Sequence, residues 1–244
     1  MNAASPSARF EVHRFPGVAE LTAAVAARWL SELAAPRLPG KPFTVALSGG
    51  RIATPLYRAV VAASAARRTD WTDVAFFLAD ERWVPLNDPE SNFRLAREEL
   101  FTPLNLASAQ LHPLHVHEDL EFATAQAQAE VLRATSRAPT GEPIFDLILL
   151  GMGEDGHVAS LFPDAPPAVV GSRAVYLAVT GPKPPPQRVT LSYAALAAAR
   201  RVWVLVSGPG KAAAWTESLR PDGVTPLARV LQSRRQTVLF TDLP

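Results

Sequence analysis

Two stretches restrict the fold more than any other feature: "FDLILL" at residues 145–150 and "VWVLV" at 202–206. Apart from Asp146, neither alternates polar with apolar residues, so each must bury both faces. A strand covered on both sides belongs at the centre of a parallel sheet sandwiched between helical layers. Shorter runs of the same kind, "RFEVHRF", "FTVALSG", "VAFFLA", "AVYLAV", "RVTLS" and "TVLFTD", complete a set of expected strands. Stretches of helical period separate them. Between the first two strands, Val18, Leu21, Val25, Trp29 and Leu33 place one apolar stripe on a helix. Further helices are expected over 54–67, 91–101 with Ser91 as N-cap, 119–135 and 209–219. The pattern predicts an α/β fold: a single doubly wound, Rossmann-like, mostly parallel sheet with helices on both faces. The proline-rich stretches "RAPTGEP", "FPDAPPAVVG" and "TGPKPPPQR" bring no lasting shift of composition. They read as loops rather than linkers, so residues 1–244 are expected to form one domain.

Composition removes several function classes. The 24 basic residues are offset by 23 acidic ones, a net charge of +1, which gives no electrostatic argument for nucleic acid or an anionic membrane. No apolar run reaches the ~18 residues needed to span a bilayer. There is no cysteine, so thiolate chemistry and disulfides are excluded and a cytoplasmic location is the default. The opening "MNAASPSARFEVHRFPG" has no basic segment followed by an apolar core, so no secretory signal is expected.

Open parallel sheets bind ligands at the carboxyl ends of their strands, and four such junctions are unusual here. In "LSGGRIATP", Ser48, Gly49 and Gly50 form a strand-to-helix turn with Thr54 and Pro55 as N-cap and first helical residue. Its backbone N–H groups could cradle an anion, with Arg51 favouring phosphate; the plain alternative is a tight turn that binds nothing. "ADERWVP" puts three charges after an apolar strand. They read either as a solvated rim or as a segment folded back by Trp83, bringing Asp80 or Arg82 into a cleft. In "VSGPGKAAA" the spacer and the Ser/Thr of a nucleotide-binding loop are missing, so nucleotide binding is rejected. Lys211 remains, a cation in the first turn of a helix, where either an anionic ligand or plain solvation explains it. "GMGEDGH" departs from the dinucleotide fingerprint in the place of its third glycine, so no nicotinamide cofactor is expected. Its Asp155 and His157 read as a carboxylate-oriented general base, or as a helix cap beside a solvent-facing imidazole.

His112, His115 and His117 have a spacing that could hold a metal, but they alternate as an exposed strand would, and no metal is expected. His13 is read as structural. No "GxSxG" elbow is present, so water is the expected nucleophile of any hydrolysis.

Taken together, "LSGG" with "TPLY", "DERWVP" with "ESNFRLA", "FDLILLGMGEDGHVASLFP" and "PKPPPQRVTLS" resemble the 6-phosphogluconolactonase family in its order along the chain. The related glucosamine-6-phosphate deaminases share the SGG turn and the DGH element. They typically carry an aromatic residue where Arg82 stands and lack the "ASLFP" continuation. The resemblance implies a cytosolic hydrolase without metal or cofactor that opens a small-molecule sugar-phosphate lactone, 6-phosphogluconolactone, in the oxidative pentose phosphate pathway. It implies His157 as general base on water, Asp155 holding its tautomer, and Arg82 or backbone N–H groups on the oxyanion. Asp80 would hold Arg82 or a sugar hydroxyl, and the phosphate would sit on the turn from Ser48 to Thr54 with Arg51, Lys211 and Arg188. Neither nucleic acid nor membrane is an expected partner, and the chain is expected to be a monomer or weak homodimer. One departure stands out: the family's "SGGSTP" reads "SGGRIATP" here, two residues longer, and Arg51 would replace a hydroxyl. Two rival readings are a deaminase-isomerase, with Asp80 shuttling a proton, and a noncatalytic sugar-phosphate sensor.

Overall fold

The computed structural model describes residues 10–35, 40–114, 119–234 and 236–244. Its elements run β1 (Glu11–Arg14), α1 (Val18–Leu33), β2 (Phe43–Leu47), α2 (Ala53–Arg67), β3 (Val74–Leu78), β4 (Asp80–Arg82), α3 (Asn92–Ala96), α4 (Leu120–Ala134), β5 (Ser136–Arg137) and β6 (Pro143–Ile144). They continue with β7 (Leu147–Gly151), α5 (Pro167–Val170), β8 (Tyr176–Thr180), β9 (Gln187–Leu191), α6 (Tyr193–Ala198), β10 (Val202–Val206), α7 (Ala212–Leu219), α8 (Pro226–Ser233) and β11 (Val238–Thr241).

Six strands form a parallel sheet in the order β1-β11-β10-β7-β2-β3. The two all-apolar runs, β7 and β10, are its central neighbours, and Leu147, Ile148, Val202, Val204 and Val206 are fully buried. Burying each such side chain contributes roughly 1.5–3 kcal/mol, which is why these runs can only be central. Right-handed crossovers put α1 and α2 on one face and α6, α7 and α8 on the other. Accordingly α1 packs on α2, and α6 and α7 each pack on α8. The stripe on α1 faces inward: Leu21, Val25, Trp29 and Leu33 are buried, and Trp29 meets Trp71 edge-on at 5.8 Å.

The α/β doubly wound expectation holds, with one addition. "AVYLAV" and "RVTLS" leave the main sheet and pair antiparallel as β8 and β9, with β4 as a third strand. This small sheet springs from the carboxyl edge of the large one, because Ala79 takes part in both: its N–H donates to Leu47 O, and its carbonyl accepts from Leu191 N–H. Helix α2 begins at Ala53 with Ile52 as N-cap, not with Thr54. Ile52 is buried and Ala53 N–H bonds Gly50 O, so the first turn starts before the Thr-Pro pair. Ser91 does cap α3, accepting from Arg94 N–H, but after Ala96 the helix widens into a π turn to Phe101.

Candidate active site

Between β2 and β7 the strand order reverses: the chain leaves β2 for β3 at one edge and β7 for β10 on the other side. Adjacent loops that part in opposite directions open a crevice at the carboxyl ends. The two glycine turns predicted from sequence are the ones flanking it. Ser48, Gly49, Gly50 and Arg51 from one turn, and Gly153 and His157 from the other, line a single cleft of about 240 Å³. Asp80, Arg82, Asn92, Ala159, Arg188 and Lys211 complete its walls. A larger hollow of about 510 Å³ lies at the opposite, amino edge of the sheet. Its charges are matched internally, for example Arg201 to Glu32 at 2.7 Å, so it offers a ligand little.

The imidazole of His157 is fixed from three sides. Its Nδ1 lies 2.5 Å from Asp155 Oδ1, and the same oxygen accepts the His157 backbone N–H at 3.1 Å. Phe162 packs against the ring at a centroid distance of 5.1 Å. A Cβ on Gly153 would overlap the ring, so the glycine spacing of "GMGEDGH" serves the histidine rather than a dinucleotide. Partial burial pushes the Asp155 carboxyl up, but the His157 N–H and the imidazole's charge pull it below its ordinary value. An ionised Asp155 at this distance favours the proton on Nδ1 of the imidazole. The helix-capping alternative fails, because no helix follows: residues 158–161 form isolated bridges, with Ala159 held at φ 49°.

Asp80 and Arg82 lie two apart on β4, so both face the cleft, but they do not bind one another. Asp80 accepts from Ser160 Oγ at 2.7 Å, and Asn92 Nδ2 donates to its carbonyl at 2.9 Å. Arg82 Nη1 donates to Glu90 O at 2.7 Å and Oε2 at 3.3 Å. The expectation that Asp80 holds Arg82 is thus corrected: the backbone loop after β4 brings Glu90 closer to that guanidinium. Between them Glu81 points away and caps α3, accepting from Ser91 Oγ, Asn92 N–H and Phe93 N–H. Burial pushes its carboxyl above the ordinary value despite these donors. Asn92 is the site residue that sequence reading missed. It sits where a Cβ on Gly49 would be, tying the first glycine turn to β4.

Cations dominate the remaining wall. Arg82 and Arg188 are direct cross-strand partners, an arrangement that like charges disfavour. Arg188 is buried, donates to Pro185 O and Lys183 O, and stacks over Phe162. Burial, then the charge of Arg82, push its guanidinium below the ordinary value. Lys211 is buried in the short turn before α7, and its ammonium has no hydrogen-bond or ion-pair partner among the described residues. Arg51 is exposed and reaches Glu154 at 2.9 Å. Two donors in the cleft, Ser48 Oγ and Arg82 Nε, are buried without a partner. Thr54 lies inside α2 and is not part of the cleft wall. Of the three-histidine run, His112 stacks on Phe77 and approaches Glu130 at 3.3 Å, while His115 and His117 lie outside the described residues.

A carboxylate-oriented imidazole and a group of under-satisfied cations at a topological switch point define a class: α/β proteins that hold a small anionic ligand beside a proton-transfer group. Comparison with known proteins narrows this. Residues 16–239 match the family described as glucosamine-6-phosphate isomerases/6-phosphogluconolactonase, and the chain belongs to that enzyme family. It is 38% identical over 203 residues to a 6-phosphogluconolactonase of Mycobacterium tuberculosis, covering 81% of each chain. It is 35% identical over 208 residues to one from Streptomyces coelicolor, covering 82% of this chain and 79% of the relative. Among solved structures, the 6-phosphogluconolactonase of Thermotoga maritima superposes with a TM-score of 0.78 at 28% identity, covering 95% and 98% of the two chains. No helix among the described residues is long and apolar enough to cross a membrane.

Proposed function

We propose that this chain, as a single domain, hydrolyses 6-phospho-D-glucono-1,5-lactone to 6-phosphogluconate in the cytoplasm, as a step of the oxidative pentose phosphate pathway. The observation that carries the reading is His157, held by Asp155, lining the same cleft as the Ser48–Gly50 turn. His157 Nε2 takes a proton from water as the oxygen attacks the lactone carbonyl. Asp155 stabilises the resulting imidazolium. Arg82, with its unpartnered Nε, or a neighbouring backbone N–H stabilises the oxyanion. The bond between the carbonyl carbon and the ring oxygen then breaks, and the imidazolium returns its proton to that oxygen. Asp80, oriented by Ser160, accepts a sugar hydroxyl. The phosphate sits against Ser48, Gly49 and Gly50, with Arg51, Arg188 and Lys211 as counter-ions. Thr54 supports the start of α2 instead of touching ligand. This reading assigns water activation to the imidazole and needs no metal or cofactor.

The test is a coupled assay on freshly generated lactone, with and without chelator, for the native chain and His157→Ala. General-base help is typically worth about 10²- to 10⁴-fold, so the variant should lose that much kcat while binding phosphate almost as before. Native activity should survive chelation. Full kcat in the variant would remove His157 from the mechanism, and ammonia release from glucosamine 6-phosphate would move the chain to the isomerase side of its family.

A further inference from the structure

The loop that departs from the family's pattern carries Arg51, and its guanidinium does not hang free over the cleft. Nη2 spans the mouth to Glu154 Oε1 at 2.9 Å, joining the two turns that flank the switch point. The side chains are 84% and 60% exposed, and ion pairs this open are weak and exchange partners readily. Glu154 also overlies the turn that carries Lys211: a Cβ on Gly210 would come within 3.2 Å of its Oε1. Its charge acts on that lysine, supporting the ammonium that burial and Arg51 disfavour. One carboxylate therefore serves two of the cleft's cations. The others are engaged elsewhere, Arg82 with Glu90 and Arg188 with backbone carbonyls.

We infer that Glu154 is a built-in counter-ion that competes with a ligand's phosphate for Arg51 and so sets how tightly the cleft holds phosphate monoesters. The inference rests on the reading that phosphate binds beside the Ser48–Gly50 turn. An arriving dianion meets the repulsion of Glu154 and finds Arg51 occupied; it is held fully only when Arg51 swings from the carboxylate to the phosphate. The competition costs affinity and favours release of the hydrolysis product, which carries a phosphate and a new carboxylate.

The test is titration calorimetry of the full chain with inorganic phosphate, at neutral pH and low salt. Glu154→Gln should tighten phosphate about three- to tenfold, the scale of one carboxylate acting through a partly solvated cleft. In an Arg51→Met background the same change should gain less than about twofold, since the contested cation is gone. Unchanged or weaker binding by Glu154→Gln, or an equal gain in both backgrounds, overturns the inference. Lactone hydrolysis by the native chain is measured alongside. Activity with flat titrations sinks the counter-ion alone, whereas the predicted titrations without activity sink the lactonase reading and leave the counter-ion standing.

Discussion

Burial and the neighbouring Arg51 push the Lys211 ammonium below the ordinary lysine value, and Glu154 and Asp242 restore only part of the shift. Its position adds a third penalty, since Lys211 is the N-cap of α7 and meets the positive end of the helix dipole. A phosphate dianion placed there offsets all three. The sign of the pH dependence follows: the ammonium exists below its lowered pKa, so phosphate affinity falls as pH rises, and it does so before an ordinary lysine at ~10.4 would titrate. Lys211→Met should raise the KM for the phosphorylated lactone roughly ten- to hundredfold, the worth of one charged hydrogen bond, and abolish that alkaline limb. Lys211→Arg should keep the affinity and move the limb out of range. Steady-state kinetics on the lactone read the KM, and calorimetric titration of phosphate across neutral to alkaline pH reads the limb in each protein; an alkaline limb that persists in Lys211→Met would assign it to another group.

At the level of elements, the glycine turn after β2 is shaped by a residue from α3. A Gly→Ala change at a compatible position usually stabilises by about 0.4–1 kcal/mol, through the unfolded chain. Gly49→Ala should do the opposite and cost about 1–3 kcal/mol, because its Cβ would overlap Asn92 Oδ1 while Asn92 is pinned to the Asp80 carbonyl. Urea unfolding measures this. Adding Asn92→Ala should return part of the loss, and strictly additive effects would remove the contact from the account. The same pair shows why the site was only partly legible. The glycine turns, Asp155 and His157 stand out because a short-range rule, a glycine-rich turn directly after an apolar strand, places them. Asn92 carries no local signal, since an asparagine at a first helical position needs no special reason, and its partner lies 43 positions away at Gly49. Strand β4 was hidden likewise: three charged residues form a strand only because β9 returns to pair with them. The Thr-Pro signature misled at Thr54, where buried Ile52 caps the helix two residues earlier, yet it marks a true cap at Thr225, whose side chain accepts Ala228 N–H ahead of Pro226 in α8. Local chemistry is the same at both positions; what precedes it in the core decides.

Taken as a whole, the molecule has almost no field to steer a ligand, since its net charge is only +1. Its electrostatics are local instead: Arg51, Arg82, Arg188 and Lys211 gather at one cleft, where the parallel sheet divides and the small antiparallel sheet rises beside it. The gathering is itself a consequence of topology, because β4 and β9 deliver the two opposed arginines while the turns after β2 and β10 deliver Arg51 and Lys211. Such a cleft discriminates by ligand charge rather than by long-range attraction. For the phosphorylated lactone, kcat/KM should therefore fall several-fold as ionic strength rises toward ~0.15 M, where the screening length shrinks to about 8 Å. The nonphosphorylated lactone should turn over poorly and ignore salt, because the imidazole and its water feel no counter-ion competition. Steady-state rates for the two lactones over a salt series decide it: equal turnover, or parallel salt dependence, would mean that the four cations serve the fold and not the substrate.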